Sequence, residues 1–358
     1  MPELCRMILD VDTGIDDAMA ILYALRRPGI RLEALTTTFG NTDIDTATKN
    51  TLRILELAGR GEIPVARGPG RSLLKPFVKG ADHVHGANGL GDVALPEPAG
   101  RAVAESAPDL IVRMARENPG EITLCPVGPV TNVALALAKA PEIATLLKRI
   151  VVMGSTIFHP GIQGIPSPMA DANFWNDPEA AQIVLRSGAN LTLVGMDVTM
   201  KVLLTAPMCA EIAGNGGAVG AKMMEIAQFY VDAYNRMYPG IDGCGLHDPL
   251  AVAIAEDPAL AVVERMCVDV ELAGALTRGR RRPSPDRGGS PQRRCLHGSG
   301  RGGIRSAVRG GAHSARRVIG CSIWLADSRM WRLARRLSDE PRVFGRLAKA
   351  GGPGAPSR

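Results

Sequence analysis

Aromatic side chains are scarce in this chain: Phe, Trp and Tyr make up 4% of its 358 residues. Hydrophobic residues still reach 46%, so Ala and the aliphatic side chains must build the core. Long apolar runs are missing as well, and none approaches the roughly 20 residues that span a bilayer. The N-terminus has no basic stretch followed by an apolar run and a cleavage site, so no signal peptide is expected. Cysteines stand at positions 5, 125, 209, 244, 267, 295 and 321, an odd, scattered set without a CxxC pair. That fits reduced thiols in a cytoplasmic protein.

Acidic residues almost vanish beyond Thr277. Residues 277–358 hold 20 Lys and Arg against 4 Asp and Glu, whereas residues 1–276 hold 22 against 32. The net charge of +6 therefore hides an acidic body and a basic tail. The expected division is an α/β domain over 1–276 and an Arg/Gly/Pro-rich tail over 277–358. Residues 277–317 lack hydrophobic periodicity and read as disordered, with the composition of translation in a shifted reading frame. Residues 330–337 could form a short basic amphipathic helix, marginal on its own. Arg-rich tails do bind nucleic acid, but this one has no aromatic residue before Trp324, so no nucleic-acid partner is expected.

Within the body, strand patterns alternate with helix patterns from Met7 to about Val194. Apolar runs at Met7–Val11, 31–38, 64–66, 122–125, 149–153 and 191–194 read as strands. Asp177-Pro178 supplies a cap and a first-turn proline for one of the intervening helices. This alternation predicts an open, mostly parallel, doubly wound Rossmann-like sheet. A helical stretch over 206–256 would cover one end, and 261–273 reads as a hairpin strand. Residues 67–100 and 154–169 read as long irregular loops.

Four acids, Asp10, Asp12, Asp16 and Asp17, fall within eight residues at the first strand-to-helix corner. Any one of them would pass for a turn or first-turn residue. Together, directly after a buried strand, they need an offset to their charge. A helix N-terminus helps, and a divalent cation helps more. Carboxylates without Cys or clustered His favour a hard ion, Ca²⁺ or Mg²⁺, over zinc. The carboxyl ends of the other strands add Asn41, the Val127 carbonyl, Asp171 and Asn173, and His247-Asp248 arrives from later helices. With almost no positive charge, the set does not suit a phosphate. It suits a metal and the hydroxyls of a neutral sugar.

Asp12-Thr13-Gly14-Ile15-Asp16-Asp17, Thr38-Phe39-Gly40-Asn41, Val127-Gly128-Pro129-Val130-Thr131-Asn132, Asp171-Ala172-Asn173-Phe174-Trp175 and His247-Asp248-Pro249-Leu250-Ala251-Val252 resemble the inosine/uridine-preferring nucleoside hydrolases. The resemblance runs in order from about residue 7 to 275. It implies Ca²⁺-dependent hydrolysis of the N-glycosidic bond of ribonucleosides in purine or pyrimidine salvage, by a homo-oligomer (dimer or tetramer). It also implies roles. Asp12, Asp17, Asp248 and the Val127 main-chain oxygen would bind the metal, with two ribose hydroxyls and a water. Asp12 would take a proton from that water. Asp16, Asn41 and Asn173 would hold the ribose, with Asp171 at its 5′ end. His247 would protonate the leaving base, and His85 matches a pocket loop. Carboxylates around the ribose suit an oxocarbenium-like transition state.

The chain departs from the family pattern in three places. Asp171 stands where the family usually has Glu. Gly161–Ile165 offers no Asn where one is usual. No further strand and helix are expected after Thr277. Tyr230, Tyr234 and Tyr238 share one helical face, for which packing is the expected role. Asn132 is expected to support its helix start. Two other functions are compatible with part of the pattern: a catalytically impaired nucleoside-binding relative, and a phosphatase of the haloacid-dehalogenase type through Asp10-Val11-Asp12-Thr13.

Overall fold

The structure is a computed structural model that describes residues 3–156, 170–265, 268–274, 277–279, 281–283 and 318–322. In chain order the elements are β1 (Cys5–Val11), α1 (Ile15–Arg26), β2 (Ile30–Thr37), α2 (Ile44–Leu57), β3 (Val65–Arg67), α3 (Asp82–His85), α4 (Ala107–Glu117), β4 (Ile122–Pro126), α5 (Thr131–Lys139) and α6 (Ile143–Leu146). There follow β5 (Arg149–Met153), α7 (Ala172–Asn176), α8 (Pro178–Arg186), β6 (Leu191–Val194), α9 (Met196–Thr199), β7 (Leu203–Leu204), α10 (Ala206–Asn215) and α11 (Gly217–Met237). The last are β8 (Cys244–Gly245), α12 (His247–Glu256), β9 (Val262–Arg265), β10 (Val268–Val270), β11 (Arg281–Pro283) and β12 (Val318–Ser322).

The main sheet runs β3-β2-β1-β4-β5-β6-β12-β9. Every neighbouring pair is parallel except β12 with β9. It is the doubly wound α/β sheet that the strand-helix alternation predicts. Burial follows from the connectivity: crossover helices cover both faces of a parallel sheet, so its strands are apolar almost throughout. Met7, Leu9 and Val11 of β1 pack on one face, into a core with α1, α11 and α12. Ile8 points the other way, into a core with α4, α5 and α8. Helix α1 packs beside α12, which itself lies against β4 and β5, and α1 is buried from Ile15 to Ala24.

Two expectations are corrected. Among the described residues β9 and β10 do not pair with each other: β9 pairs antiparallel with β12, and β10 antiparallel with β11. Asn132 supports the start of its helix, as expected, but through the strands and not as a cap. Its amide donates to Asp10 Oδ1 (2.7 Å) and to the Thr37 carbonyl (2.9 Å), tying α5 to β1 and β2. The chain beyond Thr277 also contributes strands. β11 pairs with β10, and β12 enters the main sheet beside β6, in register from Val318↔Leu191. A five-residue strand inside an Arg/Gly-rich stretch is too short to carry a periodicity, and the open backbone edge of β6 supplies its hydrogen-bonding partner. The tail helix expected at 330–337, the departure at Gly161–Ile165 and residues 284–317 lie outside the described residues.

Candidate active site

The strand order reverses at β1, with β2 on one side and β4 on the other. A crevice opens at that switch point, beyond the carboxyl ends of the strands. Two main-chain bonds of 2.8 Å line up the strand ends there: Thr38 N–H donates to the Val11 carbonyl and Val127 N–H to the Asp10 carbonyl. β1 then delivers Asp12, and the first turn of α1 delivers Asp16 and Asp17. Asp17 is fixed by geometry as well as charge. Its Oδ1 accepts from Asp12 N–H (3.1 Å), and its Oδ2 from Gly14 N–H (2.9 Å) and the Asn41 amide (3.0 Å). Asp248 joins from the first turn of α12.

One oxygen each from Asp16, Asp17 and Asp248 lies within 4.8 Å of the others. All four carboxylates are buried: Asp12 is 1% exposed, Asp16 6%, Asp17 0% and Asp248 2%. Burial, followed by mutual repulsion, pushes Asp12 and Asp248 well above the usual carboxylate range, and Asp16 up to about 7. Asp17 is raised by the same burial, which its backbone and amide donors partly offset. Asp12 Oδ1 and Asp16 Oδ1 have no hydrogen-bond partner. Buried, crowded carboxylate oxygens without donors match a hard cation in charge and in ligand type. Two glycines keep the space around Asp12. A Cβ on Gly40, whose φ is +155°, would lie 2.0 Å from Asp12 Oδ2, and one on Gly128 would lie 2.7 Å from Oδ1.

Above the acids lies a cleft of about 570 Å³, open mouth included. Its described lining contains Asp16, Asn41, His85, Val127, Asp171, Asn173, His247 and Asp248, and no Lys or Arg. Asp12 and Asp17 are not among the lining residues and are joined to the cleft through Asn41. The Asn41 main chain binds Asp12 Oδ2 (2.7 Å) while its amide binds Asp17. The Asn173 amide donates to the Val127 carbonyl (2.6 Å) and the Met153 carbonyl (3.2 Å). Asp171 caps α7: its oxygens accept from the N–H groups of Ser155 (2.6 Å), Asn173 (3.0 Å) and Phe174 (3.2 Å). Those donors only partly offset burial, and its carboxyl is pushed up to about 6.

Both sequence-selected histidines reach the cleft and are held neutral by burial, His85 down to about 3 and His247 to about 4. Ile15 N–H donates to His85 Nδ1 (3.1 Å), which leaves Nε2 to carry that ring's proton. His247 is gripped on both nitrogens, by the Thr199 hydroxyl on Nδ1 (2.5 Å) and by the Tyr234 hydroxyl on Nε2. Tyr230 stacks on His85 with ring centroids 5.4 Å apart, and its hydroxyl donates to Asp16 Oδ2 (3.3 Å). Tyr230 and Tyr234 thus line the cleft, whereas their helical spacing alone favours packing. The i, i+4 spacing of tyrosines, rather than Leu or Phe, was the available signal, because a buried phenol needs a partner.

The phosphatase alternative requires Asp10 to face the cleft. Asp10 is fully buried away from it, bonded to Thr36 Oγ1 (2.5 Å) and to Asn132.

The family model described as inosine-uridine preferring nucleoside hydrolase matches residues 7–297. A probable uridine nucleosidase 1 of Oryza sativa subsp. japonica is 39% identical over 272 residues, covering 76% of this chain and 83% of the relative. An inosine-uridine preferring nucleoside hydrolase of Leishmania major is 40% identical over 283 residues, covering 76% and 86%. Among solved structures, a purine-preferring ribonucleoside hydrolase from Gardnerella vaginalis superposes with a TM-score of 0.81 at 34% identity, over 93% of this chain and 98% of that one.

Proposed function

The chain belongs to the inosine-uridine preferring nucleoside hydrolase family and is an enzyme of that class, and from this premise we propose how its cleft cleaves a ribonucleoside to ribose and free base. One observation carries the reading. Buried carboxylates, three of them with oxygens within 4.8 Å of one another, converge beside a cleft lined by amides, tyrosines and histidines, with no cationic side chain among its described residues.

Asp12, Asp17, Asp248 and the Val127 carbonyl would hold Ca²⁺. When bound, the ion supplies Lewis acidity to a water and a charge that keeps the surrounding carboxylates ionised. Asp12 Oδ1, buried and without a donor, takes the proton of the attacking water. Asp16 Oδ1 likewise lacks a donor and accepts a ribose hydroxyl. Asn41 and Asn173, each anchored through its own hydrogen bonds, hold the sugar in place. The oxygens of Asp171 already accept three backbone N–H groups, so it meets the ribose 5′-hydroxyl through water. As the bond to the base lengthens, positive charge grows on the ribose and the acidic floor stabilises it. The His247–Tyr234 pair supplies the proton to the departing base. His85 offers its Nε2–H from the other wall.

The setting we propose is the cytoplasm, and the described cysteines Cys5, Cys125, Cys209 and Cys244 are free. No helix among the described residues is long and apolar enough to cross a membrane.

The test is a panel of purine and pyrimidine nucleosides assayed for free ribose and base, with Ca²⁺, with excess chelator, and after Ca²⁺ is restored. The expected result is hydrolysis lost on chelation and regained on add-back. Full activity in chelator, with no metal in the protein, would remove the ion. Phosphate-dependent formation of ribose 1-phosphate would replace hydrolysis with phosphorolysis. A second reading, nucleoside binding without turnover, predicts saturable binding of inosine or uridine and no ribose.

A further inference from the structure

Asn50 lies outside every motif above, on the buried side of α2, and is 0% exposed. Its amide nitrogen donates to two main-chain carbonyls, those of Thr13 (3.3 Å) and Asn88 (2.9 Å). Its Oδ1 accepts from Arg53 Nη1 (3.3 Å). A carbonyl only accepts, so both amide hydrogens are used and neither contact can run the other way.

The two carbonyls belong to different loops. Thr13 sits in the turn between Asp12 and Asp16. Asn88 follows His85 in a loop closed on itself, where Gly91 N–H donates to the His85 carbonyl (2.8 Å) and Leu90 N–H to Asn88 Oδ1 (2.7 Å). A third segment holds that loop from the other side. A Cβ on Gly89, whose φ is +77°, would lie 2.5 Å from Thr42 Cγ2 and 3.0 Å from Asn50 Nδ2. The His85 loop is therefore wedged between α2 and the turn that carries Asn41. Its other end is fitted as closely: Ile15 N–H donates to His85 Nδ1 (3.1 Å), and a Cβ on Gly14 would lie 2.5 Å from that nitrogen.

We infer that Asn50 is a positioning residue that pins the His85 loop to the acidic turn, and so sets where the His85 ring stands in the cleft. This rests on the reading of the cleft as a nucleoside site with His85 in one wall. Thr13 keeps a second tie to α2 through Thr51, hydroxyl to hydroxyl at 2.6 Å. Losing the Asn50 amide thus frees the His85 loop more than the acidic turn.

Asn50→Ala removes the amide. Asn50→Asp keeps its shape but sets an oxygen against two carbonyls. Gly89→Ala disturbs the same contact from the loop side, and reads it even if the α2 variants do not fold. Hydrogen exchange on the protein without substrate should show the amides of 86–92 exchanging about tenfold faster in each variant, the scale of one buried hydrogen bond, with β4 unchanged. Asn50→Ala and His85→Ala should each lower kcat/KM on inosine about tenfold, and the double variant should lose no more than His85→Ala alone. A merely structural role would add the two losses. A double variant about tenfold worse than His85→Ala, an Asn50→Ala enzyme equal to wild type, unchanged loop exchange, or a rise shared equally by β4 would overturn the inference. Because exchange is read on the free protein, a faster loop in a chain that releases no ribose would defeat the functional reading alone.

Discussion

At the scale of single residues, the proposed chemistry asks most of Asp12. Asp12 Oδ2 is occupied by Asn41 N–H, two glycines make room around the carboxylate, and Oδ1 is left bare. Asp12→Asn keeps the volume but removes both the charge and the basic oxygen. Turnover on inosine and uridine should fall by at least about 10²–10⁴-fold, the range of a general base, with further loss from weaker Ca²⁺ binding. Single-turnover assays of ribose release check this, and a variant within tenfold of wild type would take Asp12 out of the proton-transfer role. Asp12, Asp16 and Asp17 stood out in the sequence because several acids directly after an apolar run have few bland explanations, whereas His247-Asp248 stood out only through the family motif. Tyr230 and Tyr234 did not, because a buried phenol on a helix face has the same spacing whether it packs or binds.

At the scale of elements, α5 is held to β1 and β2 by one side chain. The buried Asn132 amide bonds the Asp10 carboxyl and the Thr37 carbonyl, and the turn just before α5 carries Val127 and Gly128 to the site. Asn132→Ala leaves those acceptors short of donors and should cost about 1–3 kcal/mol, read from the urea midpoint. Ca²⁺ affinity should fall with it, because the turn bearing the Val127 carbonyl loses its anchor. An unchanged midpoint and affinity would mean that water replaces the amide at no cost. Long-range ties of this kind leave no trace in a local pattern. GPVTN reads as a helix start, and only the strand order brings Asp10 beside it.

For the whole molecule, the buried acids link stability to pH and, on the proposed function, to Ca²⁺. Folding raises the site carboxylates, Asp16 from 3.8 to about 7, so the ion-free protein retains protons there that an unfolded chain has released. On these groups alone, ion-free stability is present at low pH and is lost as pH rises through that window. The lowered values of His85 and His247 act in the opposite sense, between about 3 and 6.5 for His85 and between about 4 and 6.5 for His247. The difference between Ca²⁺-loaded and ion-free protein largely cancels the histidines, because a cation must displace the carboxylate protons. The rise in melting temperature on adding Ca²⁺ should therefore be small near pH 5 and grow up to pH 8. At a free ion concentration of about 100 times Kd it corresponds to about 2.7 kcal/mol. A shift independent of pH would place the ion elsewhere.

The same scale governs the end of the chain. β12 joins β6 to β9, and Arg278 pairs with Glu179 at 2.7 Å while also donating to the Leu272 carbonyl. Truncation after Pro283 should cost a few kcal/mol out of the roughly 5–15 of a typical domain, read as a lower melting temperature. An unchanged melting temperature would show that β12 adds nothing to the sheet.

Alternating strands and helices, and acids placed directly after the first strand, were determined by the sequence itself. Periodicity and burial of charge are local properties, and they were enough to imply a parallel sheet and an acidic site at its carboxyl end. The tertiary structure decided which groups face each other. It tied Asp171 to Ser155, set Tyr230 against Asp16, and brought a strand from beyond Thr277 to the edge of β6. These pairings join residues at least 16 and as many as 214 positions apart, and they follow from the order in which strands join a sheet rather than from any local pattern.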